Sequence, residues 1–170
     1  MFFRKISYIF TQKGVVYFGK NLTIHPNAKL VASQNSKIII ESNCSIAAHC
    51  IIVAQNESFI SLDNNVSLSR GVQIYARQKI TIGEGTLIGN NTCIFDHDHD
   101  YKCIEGVRAN KYIEAPIKIG KNVWIGCNVV ILRGTTIGNN CVVGAGSIIK
   151  GQYKDNTLIV QKRTESVYDI

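Results

Sequence analysis

Residues 95–101 read Phe-Asp-His-Asp-His-Asp-Tyr, two imidazoles alternating with three carboxylates. In an extended segment His97 and His99 project to one side and Asp96, Asp98 and Asp100 to the other. An imidazole so placed can remove a proton near neutral pH, while a neighbouring carboxylate fixes its tautomer and stabilises the imidazolium. Either histidine fits the role of base, and any of the three aspartates could orient it. Two plainer readings stand beside this one, a solvated polar loop and a metal site. Against the metal, His25 and His49 stand alone and read as surface or corner residues, and the six cysteines lack paired C-x-x-C spacing. No metal is expected.

A constellation of this kind needs a rigid frame, and the rest of the sequence describes one. From residue 119 to 149 every sixth position is a bulky aliphatic: Ile119, Ile125, Ile131, Ile137, Val143 and Ile149. Hexapeptide repeats are the signature of a parallel β-helix, in which three six-residue units close one triangular coil of about 18 residues. The spacing recurs in broken form at Ile40, Ile46 and Ile52, at Ile60, Val66 and Val72, and at Ile82, Ile88 and Ile94. Ile24 and Leu30 suggest an earlier, less regular coil. The phase shifts around 53–59 and 73–81 read as short insertions looping outward at coil corners. Glycines after the repeat aliphatics (Gly83, Gly89, Gly120, Gly126, Gly138, Gly144) and Asn90, Asn91, Asn122, Asn139 and Asn140 suit tight corners. Between Ile94 and Ile119 the repeat stops, and a long loop thrown out of a rigid solenoid is a usual place for function.

The expected organisation is an N-terminal capping segment at 1–20, a β-helix at 21–150 with residues 95–118 extruded, and a C-terminal cap at 151–170. Phe2 or Phe3, Ile6, and Ile9 or Phe10 lie at helical spacing, which predicts an amphipathic piece closing the open end of the solenoid. With Arg4, Lys5 and Lys13 beside the aromatics, the second reading of this stretch is contact with a membrane surface. Thr11, Gln12 and Lys13 cut its apolar run too short for a secretory signal, and no segment approaches the roughly 20 apolar residues of a membrane span. At 170 residues, 45% hydrophobic and 18% charged, the chain fits one globular domain. Cys44, Cys50, Cys93 and Cys141 fall near the repeat register and read as reduced core or flanking residues of a cytosolic protein. A net charge of +7 favours anionic partners. Nucleic acid is not expected, for there is no binding motif, basic run or aromatic platform.

The hexads, the histidine loop that interrupts them, the segment 115–120 (Ala-Pro-Ile-Lys-Ile-Gly), then Asn122-Val123-Trp124-Ile125-Gly126 and Val143-Gly144-Ala145-Gly146-Ser147 together resemble the left-handed β-helix O-acetyltransferases of bacteria, those that modify surface polysaccharides above all. The resemblance covers roughly residues 60–150. It implies an all-β, left-handed parallel β-helix, a homotrimer, and acetyl-CoA as co-substrate in a cleft between neighbouring subunits. It implies direct transfer, in a ternary complex, to a sugar hydroxyl of a surface polysaccharide or its precursor, with a cytoplasmic location that includes the inner face of the cytoplasmic membrane. In sugar acetyltransferases of this group the catalytic histidine lies five residues after the last aliphatic of the preceding coil, which from Ile94 gives His99, with His97 as the competing position and Asp98 among the residues that would support it. Trp124 matches a tryptophan near the thioester of CoA, and Gly126, Cys127, Gly144 and Ala145 match positions along the pantetheine channel. The usual family ending is replaced here, so Lys150, Lys162 and Arg163 stand as candidate phosphate contacts. The acceptor-side asparagine of sugar acetyltransferases falls at Gly71, and Arg70, Tyr75 and Arg77 are the candidates to replace it. Three competing functions remain: N-acetylation of a nucleotide-linked amino sugar, a metal enzyme resembling the γ-type carbonic anhydrases, and a non-catalytic solenoid.

Overall fold

The computed structural model describes residues 9–162 and residue 167. Leu30, Ile52, Ile74, Ile94, Ile131 and Ile149 lie in register on successive strands, each resting on the next. A second column runs through Ile40, Leu62, Ile82, Ile119 and Ile137, and a third through Ile24, Ile46, Leu68, Ile88, Ile125, Val143 and Ile159. These columns define the three faces of a prism. Face A carries strands from Ile9–Gln12 to Ile148–Ile149, face B from Val15–Phe18 to Gln152–Tyr153, and face C from Thr23–Ile24 to Leu158–Ile159. Among the described residues each face is a parallel sheet of seven strands, so six steps of ~4.8 Å give a height of about 29 Å. The fold is the left-handed parallel β-helix. One continuous core of Ile, Leu and Val fills it, and burying each such side chain stabilises by roughly 1.5–3 kcal/mol.

Coil length departs from the 18-residue expectation in a regular way. After the histidine loop equivalent residues are 18 apart, as in the bond from Lys121 to Asn139, and 16 apart in the last coil, as in Asn140 and Asn156, but toward the N-terminus they are 22 apart, as in Ser45 and Ser67. The coil from Ile74 to Ile94 is intermediate, and the coil interrupted by the histidine loop spans 37, as in Thr86 and Val123. Every one of these additions falls at the same place, the edge between faces A and B. Around residues 53–59 and 73–81 the extra residues do not loop outward. They lengthen the strands instead, so that Ile51–Ala54 and Phe59–Leu62 have four residues where Val130–Ile131 and Thr136–Ile137 have two. Alternation explains the choice, since Ala54 and Ile60 add two more buried rungs to the core.

The two terminal segments also contribute strands. Ile9–Gln12 pairs in parallel with Leu30–Ser33, and Val15–Phe18 with Lys37–Ile40. The helical spacing read through Ile9 and Phe10 is therefore not realised there; pairing to an exposed sheet edge prevails over local pattern. Residues 1–8, which carry the rest of that expectation, lie outside the described residues. At the other end Gln152–Tyr153 and Leu158–Ile159 add a further rung to faces B and C. Beyond them the Gln161 carboxamide accepts from the Ile148 N–H (2.9 Å) and donates to the Ile148 carbonyl (2.6 Å), standing in for the next strand of face A.

The glycines after repeat aliphatics serve close approach, not positive φ: a Cβ on Gly120 would lie 2.6 Å from the backbone of Gly138 in the next coil. Left-handed φ falls two residues later, at Asn91, Asn122 and Asn140 among others, but not at Asn90 or Asn139. All six cysteines are free. Cys44, Cys50 and Cys141 are buried at corners, each thiol 3.1 Å from a carbonyl of the following coil. Burial pushes the Cys44 and Cys50 thiols above their ordinary 9.0. The folded chain then holds these protons more tightly than the unfolded chain, so the stabilisation is complete below about pH 9 and is lost as pH rises further. The melting temperature is expected to fall above about pH 9, less steeply in Cys50→Ala; scanning calorimetry across that range with identical slopes in both proteins would remove the thiol as the cause.

Candidate active site

The chain leaves face A after Ile94 and rejoins face B at Ile117. Between them His97–His99 and Tyr112–Glu114 form an antiparallel pair, with His97 opposite Glu114 and His99 opposite Tyr112. The alternation expected from the sequence holds within this hairpin, with consequences for each carboxylate.

Asp96 is fully buried and ties the hairpin to the corner below. Its Oδ1 accepts from the Arg77 N–H (2.9 Å), and Oδ2 accepts from Gln78 and Lys79 (both 2.8 Å). Hydrogen bonds to a carboxylate are among the stronger kind, and three converging on one buried group fix its position. The same Oδ1 lies 3.0 Å from His97 Nδ1. Because a carboxylate only accepts, Nδ1 is the donor of this contact. Two ion pairs clamp the hairpin from either side: Arg77 Nε to Glu114 at 3.1 Å from below, and Arg133 Nε to Asp98 at 2.6 Å from above. Asp98, one of the three candidates to orient the base, projects from the face opposite the imidazoles and binds Arg133, which leaves Asp96 as the carboxylate in contact with a histidine. Asp100 caps its own turn by accepting from the Lys102 N–H.

The two histidines differ in surroundings. His97 has an 18% exposed side chain held between the edges of Phe95 and Tyr112, and Phe95 in turn stacks on Tyr75. His99 is exposed and packs its ring against Tyr112, with centroids 4.6 Å apart. The Arg77 guanidinium lies 3.8 Å from the centroid of the same tyrosine. Tyr75 is a packing residue under Phe95, and its hydroxyl is pushed up by burial.

The remaining sequence candidates lie elsewhere. Trp124 projects from face C, 59% exposed, flanked on neighbouring strands by Leu87 and Val142. Gly126 and Cys127 follow at the corner between faces C and A, with Gly144 and Ala145 one coil on. A Cβ on Gly126 would meet the Ala145 N at 2.6 Å, so coil stacking by itself demands glycine there. Lys162 follows the last strand of face C, whereas Lys150 lies between strands of faces A and B; Arg163 lies outside the described residues. Arg70 lines a recess of about 590 Å³ on face C and its edge with A, together with His25, Ser45 and Ser67. Arg77 lines a separate one on the A–B edge. Within one chain, then, the histidine hairpin and the Trp124 set occupy two different edges with face A between them. Counting hexads gives this directly, since Trp124–Ile125 comes one unit after the face-B strand that closes the loop. Arg133 carried no such signal. Among the described residues no three His, Cys, Asp or Glu side chains are grouped to hold a metal ion.

Comparison with known proteins bears on the same elements. Residues 116–151 match the family described as bacterial transferase hexapeptide (six repeats). A provisionally named acetyltransferase of Mycobacterium tuberculosis is 31% identical over 87% of this chain and 48% of its own length. An Escherichia coli protein with the provisional name lipopolysaccharide biosynthesis O-acetyl transferase is 35% identical over 59% of this chain and 55% of its own. The chain thus spans about half the length of the curated relatives it matches. Among solved structures, an N-acyltransferase from Bacillus cereus in complex with dTDP-4-amino-4,6-dideoxyglucose and coenzyme A shares the fold, with TM-score 0.65 and 17% identity over 89% of this chain and 81% of that one.

Proposed function

Since the chain belongs to the hexapeptide-repeat acetyltransferase family, we propose that it transfers an acetyl group from acetyl-CoA to a sugar hydroxyl of a surface polysaccharide or its precursor. The observation that carries this reading is the hairpin itself, an exposed imidazole on a strand pair pinned to a rigid solenoid by a buried carboxylate and two ion pairs. His99 acts as the base because it is the imidazole of the hairpin that meets solvent, where an acceptor arrives, and a base must come within hydrogen-bond reach of the proton it takes. Asp96 and His97 act on it through the hairpin and through Tyr112, whose ring packs against both imidazoles. His99 removes the hydroxyl proton as the oxygen attacks the acetyl carbon, the C–S bond breaks, and CoA leaves as thiolate to be protonated. Backbone N–H groups near Gly126 or Gly144 serve the developing oxyanion, where one donor supplies on the order of 3 kcal/mol.

The separation of the two edges supports a site completed between copies of the chain, as in a homotrimer. The hairpin edge of one copy faces the Trp124 edge of the next. Leu87, Trp124 and Leu158 form an exposed apolar line on face C suited to such a contact. A sugar hydroxyl is favoured over an amine by the 35% identity to the O-acetyl transferase relative. No helix among the described residues is long and apolar enough to cross a membrane, and the six free thiols support a cytoplasmic setting.

The direct test follows thiol release from acetyl-CoA by the purified protein, with hydroxyl and amino-sugar acceptors in parallel and extracted surface polysaccharide as the principal one. Acceptor-dependent release with the hydroxyl acceptors is expected. Trp124→Ala should raise the KM for acetyl-CoA about tenfold, equal to ~1.4 kcal/mol of lost binding. Release with amino sugars alone would move the acceptor class, and no release with any acceptor would overturn the reading.

A further inference from the structure

The 22-residue coils widen successive corners of the A–B edge, and the returning limb of the hairpin bends back over them. Between limb and corners lies a recess of about 460 Å³, within the range of roughly 300–1,000 Å³ typical of small-ligand sites. Gln34, Gln55, Asn56 and Arg77 line it from the solenoid, Asn110 and Tyr112 from the hairpin. Four carboxamides each offer a donor and an acceptor, which is also what a sugar hydroxyl offers in return. Gln34 Oε1 is already held by the Asn56 N–H at 3.1 Å, which fixes that amide and leaves its amino group for a ligand. Arg77 is the charged residue of the lining, and its Nε is paired with Glu114 at 3.1 Å, so the recess is close to neutral. Tyr112 is the shared wall: its ring lines the recess and contacts His99. From the Gln34 corner to the base of the hairpin is three rungs, about 14 Å, longer than one sugar ring needs.

We propose that this recess binds uncharged sugar units flanking the one to be acetylated, so that the protein recognises an oligosaccharide or polymer and not a free monosaccharide. Only the chemistry at His99 rests on the acetyl-transfer reading; binding in the recess is a separate event with a separate readout. The test is saturation-transfer NMR on the full chain without acetyl-CoA, using neutral and acidic oligosaccharides of one to four units together with fragments of extracted surface polysaccharide. Gln55→Leu and Asn110→Gly serve as variants, both at exposed positions, the second compatible with the left-handed φ of 54° at Asn110. Affinity is expected to rise at least tenfold from one neutral unit to three or four, and to fall about tenfold in either variant with the melting temperature unchanged. Thiol release with single-unit acceptors should be the same in wild type and variants. Absence of an NMR saturation-transfer signal from any neutral oligosaccharide, preference for acidic ones, or indifference to both substitutions would overturn the proposal. Binding that is lost in the variants but never accompanied by thiol release would uphold the recess and overturn acetyl transfer alone.

Discussion

Asp96→Asn is expected to lower the melting temperature by roughly 10 °C and thiol release by at least 10²-fold. The fully buried carboxylate accepts three backbone N–H groups and faces His97 Nδ1. An asparagine keeps one accepting oxygen and turns an amino group toward the remaining donors. At least one buried N–H then loses its partner, at about 1–3 kcal/mol each, and the donor–donor contact adds to this. For a chain of this length each kcal/mol moves the midpoint by roughly 2–4 °C. Activity suffers more, because a base displaced by about 1 Å can lose a hundredfold in rate. Calorimetry and thiol release on the same preparation check both. An unchanged midpoint would mean that the corner does not depend on the carboxylate, and the positioning role would fall with it.

The second large effect separates the histidines. His99→Ala should lower kcat/KM by about 10³, within the 10²–10⁴ that a placed base supplies, and leave the midpoint unchanged because the side chain is exposed. His97→Ala should lower the midpoint by a few degrees and the rate by roughly tenfold, since it removes a partner of Asp96 and part of the packing around Tyr112. The pH profile decides between base and support. A base must be unprotonated, so the wild-type rate falls on the acid side; that limb should vanish with His99 and survive with His97. A limb that vanishes in His97→Ala, with the fold intact, would place the base at the buried pair.

Much of this frame was legible in the hexads. Most of the aliphatics named from spacing form the three core columns; Ile60, Val66 and Val72 are buried too, but the columns pass two residues later, through Leu62, Leu68 and Ile74, because the lengthened strands shift the phase of the hexads. Coil length was not legible: Ala54 and Ala76 are small enough to pass for corner residues, yet both are buried rungs of lengthened strands. At the hairpin, alternation grouped His97 with His99 correctly. It could not show that the donors of the Arg77–Lys79 corner would claim Asp96, nor that Arg133 would claim Asp98, because both partners lie on other coils. Ile9 and Phe10 fit helical spacing equally well, and only the free edge at Leu30–Ser33 makes them a strand.

A stack of parallel strands has in principle no reason to stop growing, and its last rung would template another copy end to end, as in a fibril. Gln161 answers that hazard at face A by spending a side-chain amide where a neighbour's backbone would otherwise dock. At this end of face A the backbone of Ile148 is thereby already engaged, which turns assembly toward the sides of the prism.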